Sequence, residues 1–476
     1  MIQPALSNRS FAHLILMSML IAWALGPFGL VHATGIDRAA GALEPSATTL
    51  ISVSSAGAQT DASSAHSAVS VGGRYIAFES SASNLVAGDT NAMQDIFVHD
   101  RQTGLTERVS VDSAGGQADG SSAFPQISAD GRFVVFSSEA TNLVSEDTNS
   151  VLDVFVRDRE SGETSRVSVA ADGAQGDGWS YIPSISTDGR FIVFASGAAN
   201  LVAGDLNGYE DVFVHDRQSG EISLVSVASD GTQGDFYSQL PTISSDGRFV
   251  AFESNASNLV AGDTNHTADV FVHDRQSGDT WMVSVSSGAA QGDDWSYDPY
   301  ISSDGRTVVF TSDASNLVDD DINNTPDVFV HDLQTSQTQL VSLAGDGQLG
   351  NAASWEGGIS ADGRFVAFIS YASNLVPGDA NDLRDAFVVD RQTGEVARVS
   401  VSSAGGEANG ASEFPSISPD GFVVGFASYA DNLVEGDVNN VCDLNSDGDY
   451  KENCPDVFIN ARSSGEMIFL ALVVKD

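Results

Sequence analysis

Short apolar segments separated by polar turns recur along most of this 476-residue chain. One representative stretch, from residue 180 to 227, holds four such segments, which are rich in Val, Ile and Phe. This pattern predicts β-strands at residues 180–186, 190–196, 211–216 and 221–227. Asp188-Gly189 predicts a tight hairpin between the first two strands, and Gln218-Ser219-Gly220 a turn between the last two. The stretch is therefore predicted to be a four-stranded antiparallel meander.

This meander repeats with a period of 58 residues. The asparagine of an Asn-Leu-Val segment follows the period without a slip, at Asn84, Asn142, Asn200, Asn258, Asn316, Asn374 and Asn432. We place the seven copies at about 54–111, 112–169, 170–227, 228–285, 286–343, 344–401 and 402–476. The middle strands are apolar on both faces, as sheets packed between two neighbours require. Four strands repeated seven times predict an all-β, seven-bladed β-propeller.

The most regular part of the repeat resembles a known family. The pattern Pro-x-Ile-Ser-x-Asp-Gly-Arg-Phe-Val-x-Phe occurs at residues 125–136 and, with Ile in place of Val, at residues 183–194. It resembles the blade repeat of TolB-type, WD40-like β-propellers, and the resemblance extends over most of the chain. That repeat serves translocation proteins, peptidase accessory domains and lyases, so the resemblance implies the fold and says little about function.

The amino-terminal segment predicts export. Arg9 and His13 precede an apolar run that ends in small residues at Ala33, a pattern typical of a secretory signal peptide. A membrane anchor is the alternative, but Gly26 and Pro27 interrupt the run. We predict a signal peptide at residues 1–33, a linker at 34–47 and the propeller at 48–476. The protein is then secreted or periplasmic, with no membrane insertion after signal removal.

Two segments compete to close the predicted ring. Residues 48–53 resemble the fourth strand of a blade, although they precede the first copy. The seventh copy has its own candidate for that strand at residues 466–474. Only one edge is open in a ring of seven blades, so we expect one of the two segments to occupy it. The residue pattern does not choose between them.

The charge balance narrows the possible partners. The chain has 21 Lys and Arg against 65 Asp and Glu, a net charge of −44. Such a charge excludes nucleic acids and anionic membranes as expected partners and favours cations. The 42% hydrophobic residues, with 25 Phe in regular positions, favour an ordered core over disorder. We expect a monomer. Only two cysteines occur, and an oxidising compartment makes a disulfide between Cys442 and Cys454 plausible.

The repeated loop after strand two is a candidate cation site. In a four-stranded blade this loop and the connection after strand four share one face, which we call the loop face (197–210 and 228–237 in the third copy). The hairpin turns lie on the opposite turn face (187–189 and 217–220). The loop reads Asp-x-Asn-x-x-x-Asp, and three oxygen-bearing side chains with backbone carbonyls suit a weak calcium site. Asx turns at a strand end are the alternative. The candidate ligands are Asp89, Asn91, Asp95, Asp147, Asn149, Asp153, Asp205, Asn207, Asp211, Asp263, Asn265, Asp269, Asp321, Asn323, Asp327, Asp379, Asn381 and Asp385.

The seventh copy carries thirteen extra residues in this loop. The inserted segment, CDLNSDGDYKENCP at 442–455, opens like an EF-hand calcium loop. It also resembles thrombospondin type 3 calcium repeats locally. Its twelfth position is a cysteine where an EF-hand has a bidentate Glu, and a disulfide between the two cysteines would close the loop. The candidate ligands are Asp437, Asn439, Asp443, Asn445, Asp447, Asp449, Glu452 and Asp456, and the predicted cofactor is structural calcium.

Two other repeated features are predicted to be structural. Arg190 and Asp216 start and end neighbouring strands at the turn face, and the seventh copy has lost both together, with Phe422 and Ala461 instead. This correlated loss indicates an Arg-carboxylate pair in the other six copies. Four histidines share one position of strand three, where other copies carry Arg, Val or Asn. We predict that they are spacers between blades: His99, His215, His273 and His331.

Two functions fit these observations. The first is a non-enzymatic module that binds a protein or glycan ligand through the acidic loop face, with aromatic residues as contacts. Filling of the channel mouth by the same aromatics is the alternative. The second function is a lyase or glycosidase acting on polysaccharide. It is disfavoured because catalysis needs a unique constellation of residues, whereas departures from the repeat, such as His66, His266, Glu210 and Arg384, are scattered. The candidate ligand-face residues are Trp179, Tyr181, Phe236, Tyr237, Trp295, Tyr297 and Trp355.

Overall fold

A computed structural model of the protein describes residues 47–438, 441–442 and 452–462. The predicted signal peptide and all but the last residue of the predicted linker lie outside these residues, as does the carboxy-terminal strand candidate at 466–474. The described part is an all-β, seven-bladed propeller with four antiparallel strands in each blade, as the repeat predicts. Within the described ranges, no helix has the length and hydrophobicity needed to span a bilayer.

The first strand, β1 (Thr48–Leu50), precedes six blades that follow one another along the chain. Blade 1 consists of β2 (Ser64–Val69), β3 (Tyr75–Ser80), β4 (Asp95–Asp100) and β5 (Leu105–Arg108). A short 3-10 helix (Val71–Gly73) lies between β2 and β3. Blade 2 consists of β6 (Ser122–Ile127), β7 (Phe133–Ser138), β8 (Asp153–Asp158) and β9 (Glu163–Arg166). Blade 3 consists of β10 (Ser180–Ile185), β11 (Phe191–Ser196), β12 (Asp211–Asp216) and β13 (Glu221–Leu224).

The next three blades repeat this order. Blade 4 consists of β14 (Ser238–Ile243), β15 (Phe249–Ser254), β16 (Asp269–Asp274) and β17 (Thr280–Met282). Blade 5 consists of β18 (Ser296–Ile301), β19 (Thr307–Ser312), β20 (Asp327–Asp332) and β21 (Gln337–Leu340). Blade 6 consists of β22 (Ser354–Ile359), β23 (Phe365–Ser370), β24 (Asp385–Asp390) and β25 (Glu395–Arg398). The first strand of each blade contacts the first strand of the next, so these strands form the inner ring.

The seventh blade is closed by the amino-terminal strand. It contains β26 (Ser412–Ile417), β27 (Val423–Ser428) and β30 (Asp456–Ala461), and β1 forms its outer edge. In this pairing Thr49 lies opposite Ile459, in antiparallel register. The first and seventh copies are thereby joined within one sheet, which answers the closure question in favour of residues 48–50. The inserted segment adds a two-strand ladder, β28 (Val441–Cys442) with β29 (Glu452–Asn453).

The core lies between the blades and is built mainly by the second and third strands. In blade 1, Phe78 on β3 lies opposite Phe97 on β4, with stacked rings whose centroids are 5.8 Å apart. The same stacked pair occurs in every other blade, ending with Phe426 and Phe458 in blade 7. Burial of each phenylalanine contributes about 2 to 3 kcal/mol. Because both faces of these strands are covered by neighbouring blades, they read as continuous apolar runs.

The turn face is held by arginine-aspartate pairs, as the sequence predicts. Arg190 donates from Nε and NH2 to the two carboxylate oxygens of Asp216, at 2.9 and 2.7 Å. Five other blades carry the equivalent pair, and Val423 and Ala461 lie opposite each other at the corresponding ends of the strands in blade 7. The adjoining Asp-Gly turn requires glycine, since a Cβ on Gly189 would lie 2.2 Å from the Phe133 ring of the preceding blade.

Three of the strand-three histidines are buried beside the neighbouring blade. His99 Nδ1 lies 2.9 Å from Thr106 Oγ1, and Thr106 donates a hydrogen bond to the carbonyl of Val53, which follows the β1 strand of blade 7. His273 and His331 make the same contact to Thr280 and Thr338. Burial lowers the pKa of all three imidazoles. Neutral, hydrogen-bonded imidazoles at a contact between blades fit the predicted spacer role.

Candidate functional site

In blades 1 to 4 the two aspartates of the repeated loop lie close together within a hydrogen-bond network. In blade 1, Asp95 begins β4 and is fully buried, and its Oδ1 accepts a hydrogen bond from Ser110 Oγ at 2.5 Å. Gln117, from the connection to blade 2, donates to Asp89 Oδ1 at 2.8 Å. Asn91 donates to the carbonyl of Ala118 at 2.9 Å. The loop after strand two and the connection after strand four therefore meet on one face, as predicted.

An arginine lies between the paired aspartates in three of the blades. In blade 1, Arg108 NH1 lies 3.3 Å from Asp89 Oδ1 and 3.3 Å from Asp95 Oδ2. The arginine side chain is only 9% exposed, so this ion pair is largely removed from water. Arg166 takes the same position in blade 2, and Arg398 in blade 6. In these loops the protein itself supplies a positive charge where a bound cation was predicted.

Blade 6 adds a third carboxylate to this arrangement. Oxygen atoms of Asp379, Asp385 and Glu407 all lie within 4.8 Å of one another, close enough to share a metal ion. Arg398 NH1 lies 3.4 Å, 3.3 Å and 2.5 Å from these three groups. The motif predicted two of these carboxylates but missed Glu407. It stands where other copies carry Gln, so alignment of the copies would have shown it. The cluster can bind a metal ion only in competition with the arginine.

Blades 3 and 4 lack the arginine, and glutamine alone bridges their two aspartates. In blade 3, Gln233 Nε2 donates to Asp205 Oδ1 at 2.9 Å and to Asp211 Oδ2 at 2.7 Å. Gln291 makes the same two bonds in blade 4, to Asp263 and Asp269. The amide carries no net charge, and burial raises the pKa of Asp211 to about 6. A bridging amide satisfies the facing carboxylate oxygens without neutralising the pair.

The seventh loop is described only at its two ends. Asp456 is buried, and its Oδ1 accepts hydrogen bonds from Ser52 and Thr60 at 2.6 Å each. Both carboxylate oxygens of Asp437 are buried and lack a hydrogen-bond partner among the described residues. Cys454 is buried. The predicted ligands Asn439, Asp443, Asn445, Asp447 and Asp449 and the side chains of Glu452 and Cys442 lie outside what the structure describes, so calcium and the disulfide stay predictions here.

A ring of seven left-handed residues lines the central channel. The first strand of every blade has a bulge, and the residue at the bulge has a φ between 42° and 56°. Such a φ costs a non-glycine residue on the order of 1 kcal/mol. All seven line a cavity of about 370 Å³ in the channel. They are His66, Phe124, Ile182, Leu240, Asp298, Glu356 and Phe414.

Carboxylates hold several of these bulges and make one part of the channel polar. His66 Nδ1 lies 2.6 Å from Glu79 Oε1, and Glu79 Oε2 accepts the backbone N–H of Phe124 at 2.9 Å. Glu356 accepts the N–H of Phe414 at 3.1 Å. Burial raises the pKa of Asp298 to about 6. These acids were not predicted from the sequence, because they stand out only when the same position is compared across all seven copies.

The predicted ligand-face aromatics lie near the channel mouth in blades 3 to 6. Trp179 and Tyr181 both donate to the carboxylate of Glu210, at 3.0 and 2.6 Å. Phe236 and Tyr237 pack against each other and against the ring of Tyr209.

The aromatics of the next two blades continue this group. Tyr297 donates to Asp313 at 3.3 Å. The rings of Trp355 and Tyr371 lie 5.7 Å apart. Trp179 and Trp295 remain 52% and 50% exposed, whereas Tyr181 and Tyr297 are half-buried, and both predicted roles of these aromatics stay predictions.

Four residues that depart from the repeat were predicted to be scattered over the molecule. Three of them lie around this channel, so that part of the prediction is wrong. His66 lines the channel itself. Glu210 binds Tyr181, which is adjacent to the bulge residue of blade 3, and Arg384 pairs with Glu413, which is adjacent to that of blade 7. The fourth, His266, lies in an exposed loop. The 58-residue period explains the result, because it brings residues far apart in sequence to one ring.

The larger described cavity lies elsewhere. It has a volume of about 860 Å³ and lies between blades 4 and 5 on the turn face. Trp281, Met282 and Leu333 supply much of its apolar lining. None of the predicted ligand-face aromatics lines it, so the exposed aromatics of the loop face and this cavity are separate features.

Comparison with known proteins supports the fold and no more. No protein-family model and no curated protein matches the chain. It is similar to an oligogalacturonate lyase in complex with manganese, at 12% identity and a TM-score of 0.52 over 88% of this chain and 93% of that one. The oligogalacturonate lyase of Vibrio parahaemolyticus matches at 12% identity and a TM-score of 0.51, over 87% and 93%. TolB from Acinetobacter baumannii matches at 12% identity and a TM-score of 0.37, over 64% of this chain and 58% of that chain.

Proposed function

We propose that this protein is a secreted or periplasmic TolB-like propeller, monomeric and non-enzymatic, that binds a protein or glycan ligand through its loop face. The observation that carries this proposal is the set of exposed aromatics at the start of the first strands in consecutive blades: Trp179, Phe236, Tyr237 and Trp295. Large apolar side chains grouped on a surface favour a binding site. Flat rings stack on sugar faces or anchor a peptide.

The charges beside these rings narrow the class of ligand. Glu210 accepts a hydrogen bond from Trp179, and Asp313 accepts one from Tyr297, so each ring has a carboxylate beside it. With a net charge of −44 for the chain, an anionic ligand would be repelled at long range. A neutral glycan, whose hydroxyl groups donate to these carboxylates while its faces stack on the rings, fits best. A basic peptide is the second class that the same surface accepts.

Calcium is the proposed structural cofactor of the loop face. Each loop contributes two carboxylates, and like charges oppose the folded state where nothing neutralises them. The inserted segment of the seventh copy, with its EF-hand-like opening, supplies the largest set of candidate oxygens. We expect the melting temperature of the purified chain to fall in chelator at low ionic strength. Identical melting curves with and without calcium would remove this part of the proposal.

A propeller enzyme acting on polysaccharide is the second candidate. The channel supplies the observation in its favour, since His66, Asp298 and Glu356 are three different titratable groups on one ring of residues. Buried acids with raised pKa values are typical of general acids. The two lyases similar to this chain share its fold at 12% identity, which does not extend to their substrate.

One experiment separates the two functions. The chain after residue 33 is applied to an array of neutral glycans and basic peptides, and in parallel to a panel of polysaccharides assayed for degradation. We expect binding without turnover, and loss of binding in Trp179→Ala/Trp295→Ala. The matched control is Trp281→Ala, because Trp281 is also exposed but lies on the outer strand of blade 4. Turnover that is lost in Asp298→Asn would instead support the enzyme.

A further inference from the structure

One position of the fourth strand decides which loops carry their own positive charge. Blades 1, 2 and 6 have arginine there, and its guanidinium lies between the two aspartates of the loop. Blades 3, 4 and 5 have an aliphatic or thioether side chain at the same position of the repeat. These six residues, in blade order, are Arg108, Arg166, Leu224, Met282, Leu340 and Arg398.

Blade 5 is the loop that has lost both substitutes for a cation. Leu340 stands in place of the arginine, and Leu349 stands where Gln233 and Gln291 bridge the aspartates of blades 3 and 4. The two aspartates themselves are retained, as Asp321 and Asp327. Six loops have described side chains throughout. Among these six, blade 5 alone has an apolar residue at both positions, so neither position supplies a guanidinium, an amide or a carboxyl group to the aspartates.

The carboxylate of Asp321 is left incomplete as a result. Asp321 is 7% exposed, and its Oδ1 is buried with no hydrogen-bond partner among the described residues. In blades 1 to 4 the equivalent oxygen accepts a bond from glutamine at 2.8 or 2.9 Å. A buried carboxylate oxygen without a donor is costly to fold. The equivalent oxygen has a hydrogen-bond donor in four other copies. Its lack of a donor in blade 5 therefore indicates a missing ligand.

The second aspartate already has the contacts that would orient it toward a cation. Asp327 is fully buried, and its Oδ1 accepts a hydrogen bond from Ser342 at 2.6 Å. Its Oδ2 accepts one from Asn323 Nδ2 at 2.7 Å. A positive ion at this place would relieve both the burial and the repulsion of the two charges.

We propose that blade 5 binds one calcium ion between Asp321 and Asp327, at the place that the arginine guanidinium takes in blades 1, 2 and 6. An oxygen-only donor set in an irregular loop suits calcium better than magnesium, which demands stricter octahedral geometry. This inference deepens the calcium part of the proposed function by assigning the ion to a loop, and it is independent of the glycan or peptide ligand. The arginines then act as built-in cations in the other loops.

Counting bound calcium in designed variants tests this assignment. Metal-free chain is equilibrated with calcium and desalted, and the ion is measured per chain by atomic emission. We expect Asp321→Asn and Leu340→Arg each to bind one calcium fewer than the wild type. Leu340→Arg supplies the guanidinium of blade 1, so its melting temperature in chelator should equal or exceed that of the wild type. The matched control is Asp205→Asn, in the glutamine-bridged loop of blade 3, which should leave the count unchanged.

Each outcome bears on one proposal or on both. An unchanged count in a folded Asp321→Asn variant, or in Leu340→Arg if the first does not fold, overturns the blade 5 site. If the calcium count instead falls only in the variant Asp443→Asn/Asp447→Asn, the inserted segment binds the ion. The blade 5 site is then overturned, but the proposed structural calcium stands. If the wild type retains no calcium, both claims fail, while binding on the glycan and peptide array remains a separate result.

Discussion

The two faces of the propeller neutralise their aspartates in different ways. On the turn face, six blades carry the same arginine-aspartate pair, and both members are replaced in the seventh. On the loop face every blade has its aspartate pair, but the group that contacts both aspartates changes. It is a guanidinium in blades 1, 2 and 6 and an amide in blades 3 and 4, and blade 5 has neither.

This difference separates structural from functional repetition. A pair that is kept or lost as a unit, such as that of Arg190 and Asp216, serves the hairpins that it joins. The paired aspartates of the loop face are retained, while the group that contacts them varies from copy to copy. That group can therefore be exchanged, and a soluble cation is one possible replacement. The same face also carries the exposed aromatics. Because of this variation between copies, we propose that the function resides on the loop face.

The largest effect is expected from moving the blade 5 arrangement into blade 1. Arg108→Leu/Gln117→Leu introduces the residues that blade 5 carries at the same two positions, Leu340 and Leu349, and leaves Asp89 and Asp95 with neither a guanidinium nor a bridging amide. Removing one partner of a buried pair typically costs about 3 to 5 kcal/mol, and we expect about 3 kcal/mol in chelator. Added calcium should restore part of this loss, and the variant should bind one more calcium than the wild type.

Chemical denaturation with and without calcium measures this prediction. The control is Met282→Leu, which changes the same position of blade 4 between two apolar residues of similar volume and should cost less than about 1.5 kcal/mol. A loss of stability in Arg108→Leu/Gln117→Leu that calcium leaves untouched would mean that the guanidinium does not stand in for an ion. The comparison of blades 1 and 5 would then be one of packing only.

The next-largest effect on stability is expected at a buried acid that has no cation beside it. Glu253, at the loop-face end of β15, is 5% exposed, and burial raises its pKa to about 7 from an ordinary 4.5. The groups that face it are the Gln239 amide, at 3.2 Å, the charge and backbone N–H of Asp298, and Tyr181. Because the folded state holds this proton to higher pH than the unfolded state, its contribution to stability falls as pH rises from about 4.5 to about 7.

Glu253→Gln should remove that penalty. We expect the variant to be about 2 to 3 kcal/mol more stable than the wild type at pH 8, and the difference to shrink toward pH 5. Denaturation at several pH values measures both. Glu79→Gln is the matched control, since Glu79 holds the same position in blade 1 but is paired with His66 at 2.6 Å. It should lose stability, and a gain in both variants would contradict the role assigned to the partner.

The 58-residue period predicted the architecture and the turn-face pairs because both recur in sequence. Closure by residues 48–50 was left open, since a fourth strand is short and two segments satisfy its pattern. The channel bulges were missed for a physical reason. A left-handed residue is usually signalled by Gly or Asn, and here the bulge positions carry His66, Phe124, Asp298 and three other residue types.

The candidate site was predicted only as far as its acids. The loop motif located Asp321 and Asp327, but the group that neutralises such a pair lies about a dozen residues away on another strand, where Arg108 and Leu340 are equivalent. Within a single copy the fourth strand has the pattern of an ordinary edge strand, so the difference between Arg and Leu is not apparent. Aligning the copies and asking which charge varies at each position would have found it, and would also have gathered His66 and Glu356 into one ring.

The smallest effect is expected on the turn face. Arg248 donates to both oxygens of Asp274, at 2.8 and 2.6 Å, and holds the pKa of that acid at about 2, while the arginine side chain is itself 41% exposed. Exposed pairs contribute little, so Arg248→Ala should cause only a small loss of stability at pH 7. A depressed pKa stabilises above the unfolded value, so this loss should fade as pH falls through 4 toward 2. A double-mutant cycle with Asp274→Asn measures it. Calcium count and ligand binding should not change, and a change in either would end the separation of the two faces.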